Sequence, residues 1–196
     1  MRTLAALLGA AAVAGACSLT PPAAPPTLYD LGPLPAGAAQ SLATAAPRIG
    51  AVDAPQWLDS PGIVYRLSYD EPTRRAVYRD SRWVAPPAAL LTQRLKQWAA
   101  TLAPTVPAGD ADPRPRLLSL ELELDEFEQV FTSPTSCQVR VSLRAVLGRP
   151  GDPHAARRVF TVSRDVADAN ALGAVRGLGA ASDEVLVQVL RWAAAP

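Results

Sequence analysis

Two stretches in which apolar and polar residues alternate strictly constrain the fold more than any other feature of this sequence. Residues 118–125 have leucine at every second position with mostly acidic residues between, and residues 138–147 repeat the pattern with polar residues that include Arg140 and Arg144. A period of two with one apolar face is typical of a half-buried strand in an antiparallel-type sheet. The two strands should therefore pair, with the carboxylates of the first opposite the guanidinium groups of the second.

Shorter strands are predicted at residues 28–32, 48–52, 63–67 and 157–162, where β-forming residues are bounded by turn residues. Residues 63–81 should form a hairpin, because the turn signal Asp70-Glu71-Pro72 separates two such runs.

Two helices complete the predicted set of elements. Pro86-Pro87 suits the first turn of a helix, and an apolar stripe at helical spacing follows it. The last segment, residues 168–195, predicts a long helix with small residues in its middle, and glycine at two internal positions allows a break near Ser182-Asp183, because each costs about 1 kcal/mol against alanine. The order of elements predicts an α+β fold, a mostly antiparallel β-sheet with two helices packed on one face. The stripe of the first helix consists of Leu91, Leu95, Trp98 and Leu102.

The N-terminus has the pattern of a secretory signal. One positive charge at Arg2 is followed by an apolar run of about ten residues and by the small residues 14–16, directly before Cys17. The run is too short to cross a bilayer core of roughly 30 Å as a helix. Cleavage before Cys17 would leave a cysteine at the first position of the mature chain, where bacterial lipoproteins are acylated. The segment resembles a lipobox with Ala14 in place of the usual leucine, and ordinary signal-peptidase cleavage at Ala14-Gly15-Ala16 is the alternative.

The mature chain divides into a tether and a body. Residues 1–16 are the predicted signal peptide, and residues 17–27 are a lipidated cysteine followed by a proline-rich tether without charge. Such a run stays extended at about 3.1 Å per residue. Residues 28–196 are predicted to form a single periplasmic domain, long enough for one sizeable core.

Charge and cysteine content exclude several classes of protein. The formal net charge is +1, and it falls to zero when Arg2 is removed, so no net field favours nucleic acid. The chain has two cysteines, and lipidation of Cys17 leaves Cys137 as the only free thiol, which excludes an intramolecular disulfide. Cys137 is odd-numbered, like the apolar residues of the strand that follows it, so its side chain should point into the core.

The sequence offers no convincing catalytic or metal site. His154 is the only histidine and lies in a turn, so a catalytic triad or histidine-rich metal site lacks its partners. Paired carboxylates within residues 121–128 could bind a cation or act in glycoside hydrolysis. The alternative is that they form the polar face of a strand, neutralised by Arg140 and Arg144, and the strand-like spacing favours it. We therefore expect no catalytic residue, no metal and no cofactor.

Two tryptophans stand at the ends of predicted elements. Trp57 follows a strand directly, and Trp83 comes just before a helix. A tryptophan in such a place either covers the core or anchors an interface, and the sequence leaves both readings open for each residue.

The order of these short motifs resembles that of the ABC-type transport auxiliary lipoprotein family, the PqiC-like intermembrane transport lipoproteins. No single motif is decisive, but the ordered set covers nearly the whole mature chain. The departures are Ala14 in the lipobox and an alanine-rich insertion before Pro47. The matching pieces are Cys17 after a signal, Tyr29-Asp30-Leu31, residues 52–59 with Pro55-Gln56-Trp57-Leu58, Ile63-Val64-Tyr65-Arg66, Tyr78, Ser81-Arg82-Trp83, Asp125-Glu126-Phe127-Glu128 and Trp192.

The resemblance implies a non-catalytic lipoprotein on the periplasmic face of the outer membrane, and Ser18 after the acylated cysteine agrees with export past the inner membrane. The implied partners are an MCE-domain tunnel protein and an ABC permease–ATPase complex for lipid transport. It also allows a homo-oligomer without setting a subunit number. On this basis we expect Trp57 and Leu58, followed by Tyr65 and Arg66, to contact the partner.

Three alternatives stay open at the level of the sequence. One is an envelope-assembly lipoprotein that plugs or chaperones another outer-membrane component. Another is an enzyme that uses the acidic strand, residues 121–128. The third is direct binding of lipid in a groove beneath the helices.

Overall fold

The computed structural model describes residues 24–35, 47–102 and 118–195. The predicted signal peptide, Cys17 and most of the predicted tether lie outside these ranges. The described residues form seven strands, one short 3-10 turn and two α-helices. In chain order these are β1 (Thr27–Tyr29), β2 (Arg48–Asp53), the 3-10 turn (Gln56–Leu58), β3 (Gly62–Leu67), β4 (Arg75–Trp83), α1 (Pro87–Leu102), β5 (Ser119–Phe131), β6 (Cys137–Gly148), β7 (Ala156–Val166) and α2 (Ala171–Ala193).

The strands form one mixed sheet in the order β1-β4-β3-β5-β6-β7, with β2 also paired to β5. The hairpin β3–β4 and the ladders β5–β6 and β6–β7 are antiparallel, as the alternation predicts. The shorter pairs β1–β4, β2–β5 and β3–β5 are parallel, so the sheet is mixed: it is mostly antiparallel, as predicted, with parallel pairs that were not predicted. Alternation within a strand reports which face is buried, but it does not report which distant strand lies alongside.

Strand β5 continues well past the predicted end at Asp125. The apolar face is carried by even-numbered residues up to Leu124 and by odd-numbered residues from Phe127 onward. The register shifts between Leu124 and Glu126, where a bulge inserts one extra residue and restores the alignment of the apolar face. The strand therefore remains in the sheet, although the period of its sequence is interrupted.

Helix α1 has the predicted stripe. Its leucines and Trp98 are buried in the same core cluster as the apolar face of the sheet. The hydroxyl of Thr92 accepts a 2.8 Å hydrogen bond from Val52 N, which satisfies one donor of β2 beside the helix.

Helix α2 is continuous, without the break that the sequence allowed near Ser182-Asp183. Asn170 caps it by accepting a 3.0 Å hydrogen bond from Gly173 N. Gly177 lies so close to the sheet that a Cβ atom there would be 2.5 Å from Val166 Cγ1. The glycine therefore lowers helix propensity but permits close packing, and burial against the sheet keeps the helix intact.

Arg94 of α1 joins three parts of the fold. It is 4% exposed, and its Nε lies 2.7 Å from Asp183 Oδ1 of α2. Its terminal nitrogens donate to the carbonyl oxygens of Leu31 and Gly32 at 2.8 Å and of Pro33 at 3.2 Å. The ion pair between Arg94 and Asp183 shows that both helices lie on the same side of the sheet. The hydrogen bonds from Arg94 hold the segment that follows β1 in place.

Candidate docking surface

The acidic run lies on the sheet face opposite the helices. Arg144 donates to Glu123 Oε2 at 2.6 Å and to Asp125 Oδ1 at 2.7 Å, and Arg140 Nη1 lies 3.8 Å from Glu126 Oε1. These pairs confirm the predicted arrangement of carboxylates opposite guanidinium groups. Such partly exposed pairs each stabilise a fold by about 0–1 kcal/mol, so they neutralise the face more than they hold it together.

Glu128 differs from the other carboxylates of this face because it is fully buried. Arg66 of β3 forms an ion pair with its Oε1, and Arg75 Nε of β4 lies 3.1 Å from its Oε2. The two arginines are opposite each other in the β3–β4 ladder, so both reach the same carboxylate. Two guanidinium groups around one carboxylate leave a local excess of one positive charge.

Trp57 covers this cluster from outside. The guanidinium carbon of Arg75 lies 4.3 Å from the centre of the Trp57 ring, within the range of a cation–π interaction. Even so, 40% of Trp57 remains exposed. Because the ring rests on an arginine that is itself held by a buried carboxylate, Trp57 presents its free side in a fixed orientation.

The short 3-10 turn explains why Trp57 and its neighbour differ so much. Leu58 N donates to Pro55 O at 2.8 Å, which closes the turn. Leu58 points inward and is 1% exposed, while Trp57 points outward. Leu58 therefore stabilises the core beneath the surface and offers no side chain to a partner.

The remaining predicted contact residues fall on opposite faces. Arg66 belongs to the Glu128 cluster beside Trp57. Tyr65 lies on the helix side, where its ring centre is 4.8 Å from that of Tyr78 and 6.0 Å from that of Phe131. Of the four residues named from the sequence, the fold therefore brings only Trp57 and Arg66 together on an accessible face.

We define the Trp57 surface as Trp57, Arg66, Arg75, Val77 and Glu128. Val77 follows Arg75 by two residues on β4, so it shares the same face, and 50% of it is exposed. Arg75 and Glu128 were not predicted from the sequence. The predicted hairpin carried a signal for Arg75, because pairing residues 63–67 with the next strand brings it near Arg66.

Trp83 has the role of a core residue. It is 1% exposed, and its ring packs edge to face against Phe127, with centres 5.6 Å apart. The two tryptophans that the sequence left ambiguous therefore have different environments.

Cys137 lies in the core as predicted, with 6% exposed. Burial raises the pKa of its thiol, so the sulfur is held in the protonated form. Gln129 Nε2 donates to this sulfur at 3.1 Å and Tyr78 Oη donates to Gln129 Oε1 at 2.6 Å, so a chain of hydrogen bonds satisfies the buried amide. The surroundings are those of a structural cysteine.

Two further features of the described ranges bear on function. Their acidic, histidine and cysteine side chains include no group of three or more placed to hold a metal ion. Neither α1 nor α2 has the length and hydropathy needed to cross a membrane.

Comparison with protein families gives one extensive match. The model of a family described as "ABC-type transport auxiliary lipoprotein component" matches residues 29–190. No curated protein sequence matches the chain.

Solved structures share the fold at low sequence identity. A crystal structure of a Xanthomonas campestris protein superposes with a TM-score of 0.68 at 20% identity, covering 86% of this chain and 95% of that one. The crystal structure of a protein without an assigned function gives a TM-score of 0.60 at 14% identity, covering 86% of this chain and 99% of the other. At these identities the likeness establishes the fold alone.

Proposed function

The chain belongs to the family of ABC-type transport auxiliary lipoprotein components, and from this membership we propose that it docks an intermembrane lipid-transport assembly onto the outer membrane. Acyl chains on Cys17 hold it in the periplasmic leaflet, and the proline-rich residues 18–26 give the domain reach. The partners are an MCE-domain tunnel protein and the ABC permease–ATPase complex to which that protein is linked. The role of the chain is to position the assembly.

The observation that carries the docking role is the Trp57 surface. Tryptophan and arginine are the residue types that most often dominate binding energy at protein interfaces. Trp57 is exposed yet oriented by Arg75, so little conformational entropy is lost when a partner covers it. Val77 provides exposed apolar area beside it.

The charge of the surface indicates the chemistry of its partner. Arg66 and Arg75 are 21% and 38% exposed at their side chains, and they share the single buried carboxylate of Glu128. An acidic or carbonyl-rich group of the tunnel protein would complement this excess positive charge, and an apolar group beside it would cover Trp57.

Replacing Trp57 with alanine tests the docking role. We expect Trp57→Ala to weaken capture of the MCE-domain protein about 30-fold or more, as for an interface residue that contributes about 2 kcal/mol. The temperature of unfolding should change little, because 40% of Trp57 is exposed. The measurement is quantitative mass spectrometry of proteins that co-purify with the tagged full chain from native membranes.

The matched control is Tyr69→Ala, which removes another exposed aromatic residue outside the Trp57 surface. Tyr69 is 47% exposed, so the two variants lose rings of similar accessibility. Equal capture by Trp57→Ala and the unchanged chain would contradict the docking surface. Recovery of outer-membrane assembly proteins in place of transport components would instead favour an envelope-assembly lipoprotein.

A further inference from the structure

Strand β7 is a long edge strand of the sheet. It pairs with β6 in an uninterrupted register from Ala156, opposite Leu147, to Val166, opposite Cys137. Among the residues that the structure describes, no strand pairs with its other side. Alternate backbone N–H and C=O groups along β7 therefore face outward without a strand partner.

This edge lacks most of the devices that keep sheet edges from pairing. It has eleven residues, contains no proline, and shows no bulge against β6. Natural proteins usually shorten, bend or cover such an edge, because an extended flat strand is a template for another chain. The charged side chains of β7 are the exception, so their arrangement decides which strand can pair.

The charges of β7 complement those of a second β7 that runs antiparallel. If Thr161 lies opposite Thr161 of another copy, each Arg157 faces an Asp165 on the outer face of the sheet. Neither residue forms an ion pair within the described ranges; Arg157 donates only to Ala155 O, at 3.3 Å. Opposite charges directly across an antiparallel pair stabilise it.

The same register suits the helix side of the sheet. It places Phe160 opposite Val162 of the other copy. The ring of Phe160 packs edge to face on Trp192 of α2, with centres 5.6 Å apart. Trp192 is only partly buried, so a second copy would cover the apolar edge formed by these residues.

One kind of pair in this register, which the two-fold axis generates twice, joins like charges, and α2 compensates for it. Arg158 would face Arg164 of the other copy, but Arg164 already donates to Glu184 Oε2 of α2 at 2.8 Å. Glu184 is 44% exposed at its side chain, so its carboxylate is accessible to the incoming Arg158 as well.

We propose that β7 is a homodimer interface in which two copies pair antiparallel about a two-fold axis through Thr161. The occupant of the edge is thus a second copy of this chain. The interface is isologous, as most dimer interfaces are, and it joins two seven-stranded sheets into one. A strand of unrelated sequence would satisfy the backbone groups equally well, but it would not match Arg157 and Asp165 in both directions.

Disulfide cross-linking in native membranes tests the register. At the two-fold axis a Thr161→Cys variant brings two thiols together, since opposed residues have Cα atoms about 4.5–5.5 Å apart, within disulfide range. We expect mild oxidation of the full chain to give a dimer band that disappears on reduction.

The matched control is Val159→Cys on the same face of β7. In this register residue 159 of one copy faces residue 163 of the other, so the two introduced thiols are offset by four residues, about 13 Å. Val159→Cys and the unchanged chain should give little dimer. Equal cross-linking at both positions, or none at Thr161→Cys, would overturn the proposal.

A charge exchange tests the pairing independently of cysteine. Arg157→Asp alone and Asp165→Arg alone should each raise the dimer dissociation constant about tenfold or more, because like charges then face each other twice. The double variant, Arg157→Asp with Asp165→Arg, should restore dimerisation. Sedimentation of the detergent-extracted full chain measures this, and a double variant no tighter than the singles would refute the register.

Discussion

Two carboxylates that are largely removed from solvent, Glu128 and Asp183, organise opposite sides of the sheet. Glu128 supports the arginines beneath Trp57, while Asp183 accepts from Trp98 Nε1 at 2.7 Å and pairs with Arg94. Removing one partner of a buried ion pair typically costs about 3–5 kcal/mol, because the other charge is left uncompensated. Glu128 therefore contributes to the Trp57 surface through the arginines that it positions.

Asp183 gives the fold a pH dependence of known sign. Burial raises the pKa of its carboxyl above the ordinary 3.8, although Trp98 and Arg94 act in the opposite direction. A raised pKa in the folded state means that this group favours folding most below pH 3.8, and that its contribution is lost as the pH rises through the folded-state pKa.

We expect Asp183→Asn to remove this component. The free energy of unfolding of the variant should increase relative to that of the unchanged chain as the pH rises from 3.8 toward neutral, because only the unchanged chain loses this contribution. Urea unfolding at a series of pH values measures the difference. The opposite slope would show that the pair with Arg94 outweighs burial and lowers the pKa.

At single positions the sequence predicts which side chains of a strand are buried, because apolar residues alternate along it. It does not predict which side chain of a turn is buried. Cys137 is predicted to lie in the core because it is an odd-numbered residue of β6, like the apolar residues on the buried face of that strand. Trp57 and Leu58 are not distinguished, because a single 3-10 turn has no repeating pattern that reports which side chain is buried. The role of Glu128 needs the pairing of β3 with β5, which joins residues far apart in the chain.

At the level of elements, helix α2 depends on how closely it approaches the sheet. Gly177→Ala would place a Cβ atom 2.5 Å from Val166 Cγ1 and 2.9 Å from Val139 Cγ1. Overpacking of this kind costs about 1–3 kcal/mol, which exceeds the gain of about 1 kcal/mol in helix propensity. We expect urea unfolding to give a lower free energy of unfolding for Gly177→Ala than for the unchanged chain.

Gly179→Ala serves as the comparison because its Cβ atom would come no closer than 3.3 Å to Leu31 O. The same gain in helix propensity is then opposed by a weaker clash, so this variant should be more stable than Gly177→Ala. If the two variants lost equal stability, the close approach at Gly177 would not be the cause.

The predicted elements were largely confirmed, whereas their connections were not predictable. Both long strands, the hairpin and both helices occur where the patterns place them. Strand β5 runs past its predicted end because a bulge restores the apolar face. Each of the three parallel pairs connects segments between which at least one other strand of the sheet lies, and no local pattern records such contacts.

At the scale of the whole molecule, the two proposed interfaces do not compete. The residues of the Trp57 surface lie on the 3-10 turn, β3, β4 and β5, and β6 separates these elements from β7. Neighbouring strands are about 4.8 Å apart, so a second copy on β7 leaves the Trp57 surface free. A dimer would therefore present two such surfaces to a transport assembly.

The proposed lipidation at Cys17 would determine the location of the whole molecule. We expect Cys17→Ser to move the protein from the membrane fraction to the soluble fraction, because the variant has no thiol at this position to carry the acyl chains that anchor it. Fractionation and immunoblotting measure the shift, and intact-mass analysis of the unchanged chain identifies the acyl groups. An unacylated first residue would show that ordinary signal-peptidase cleavage occurs instead.

The contacts of Arg94 determine how a lipid-anchored chain would respond to tension. Tension on the N-terminus would first act on β1, an edge strand of three residues. Directly after β1 in the chain, the carbonyl groups of residues 31–33 accept hydrogen bonds from Arg94, which also forms an ion pair with Asp183 of α2. Tension from a moving membrane would therefore be shared between β4, to which β1 is paired, and the two helices that Arg94 and Asp183 connect.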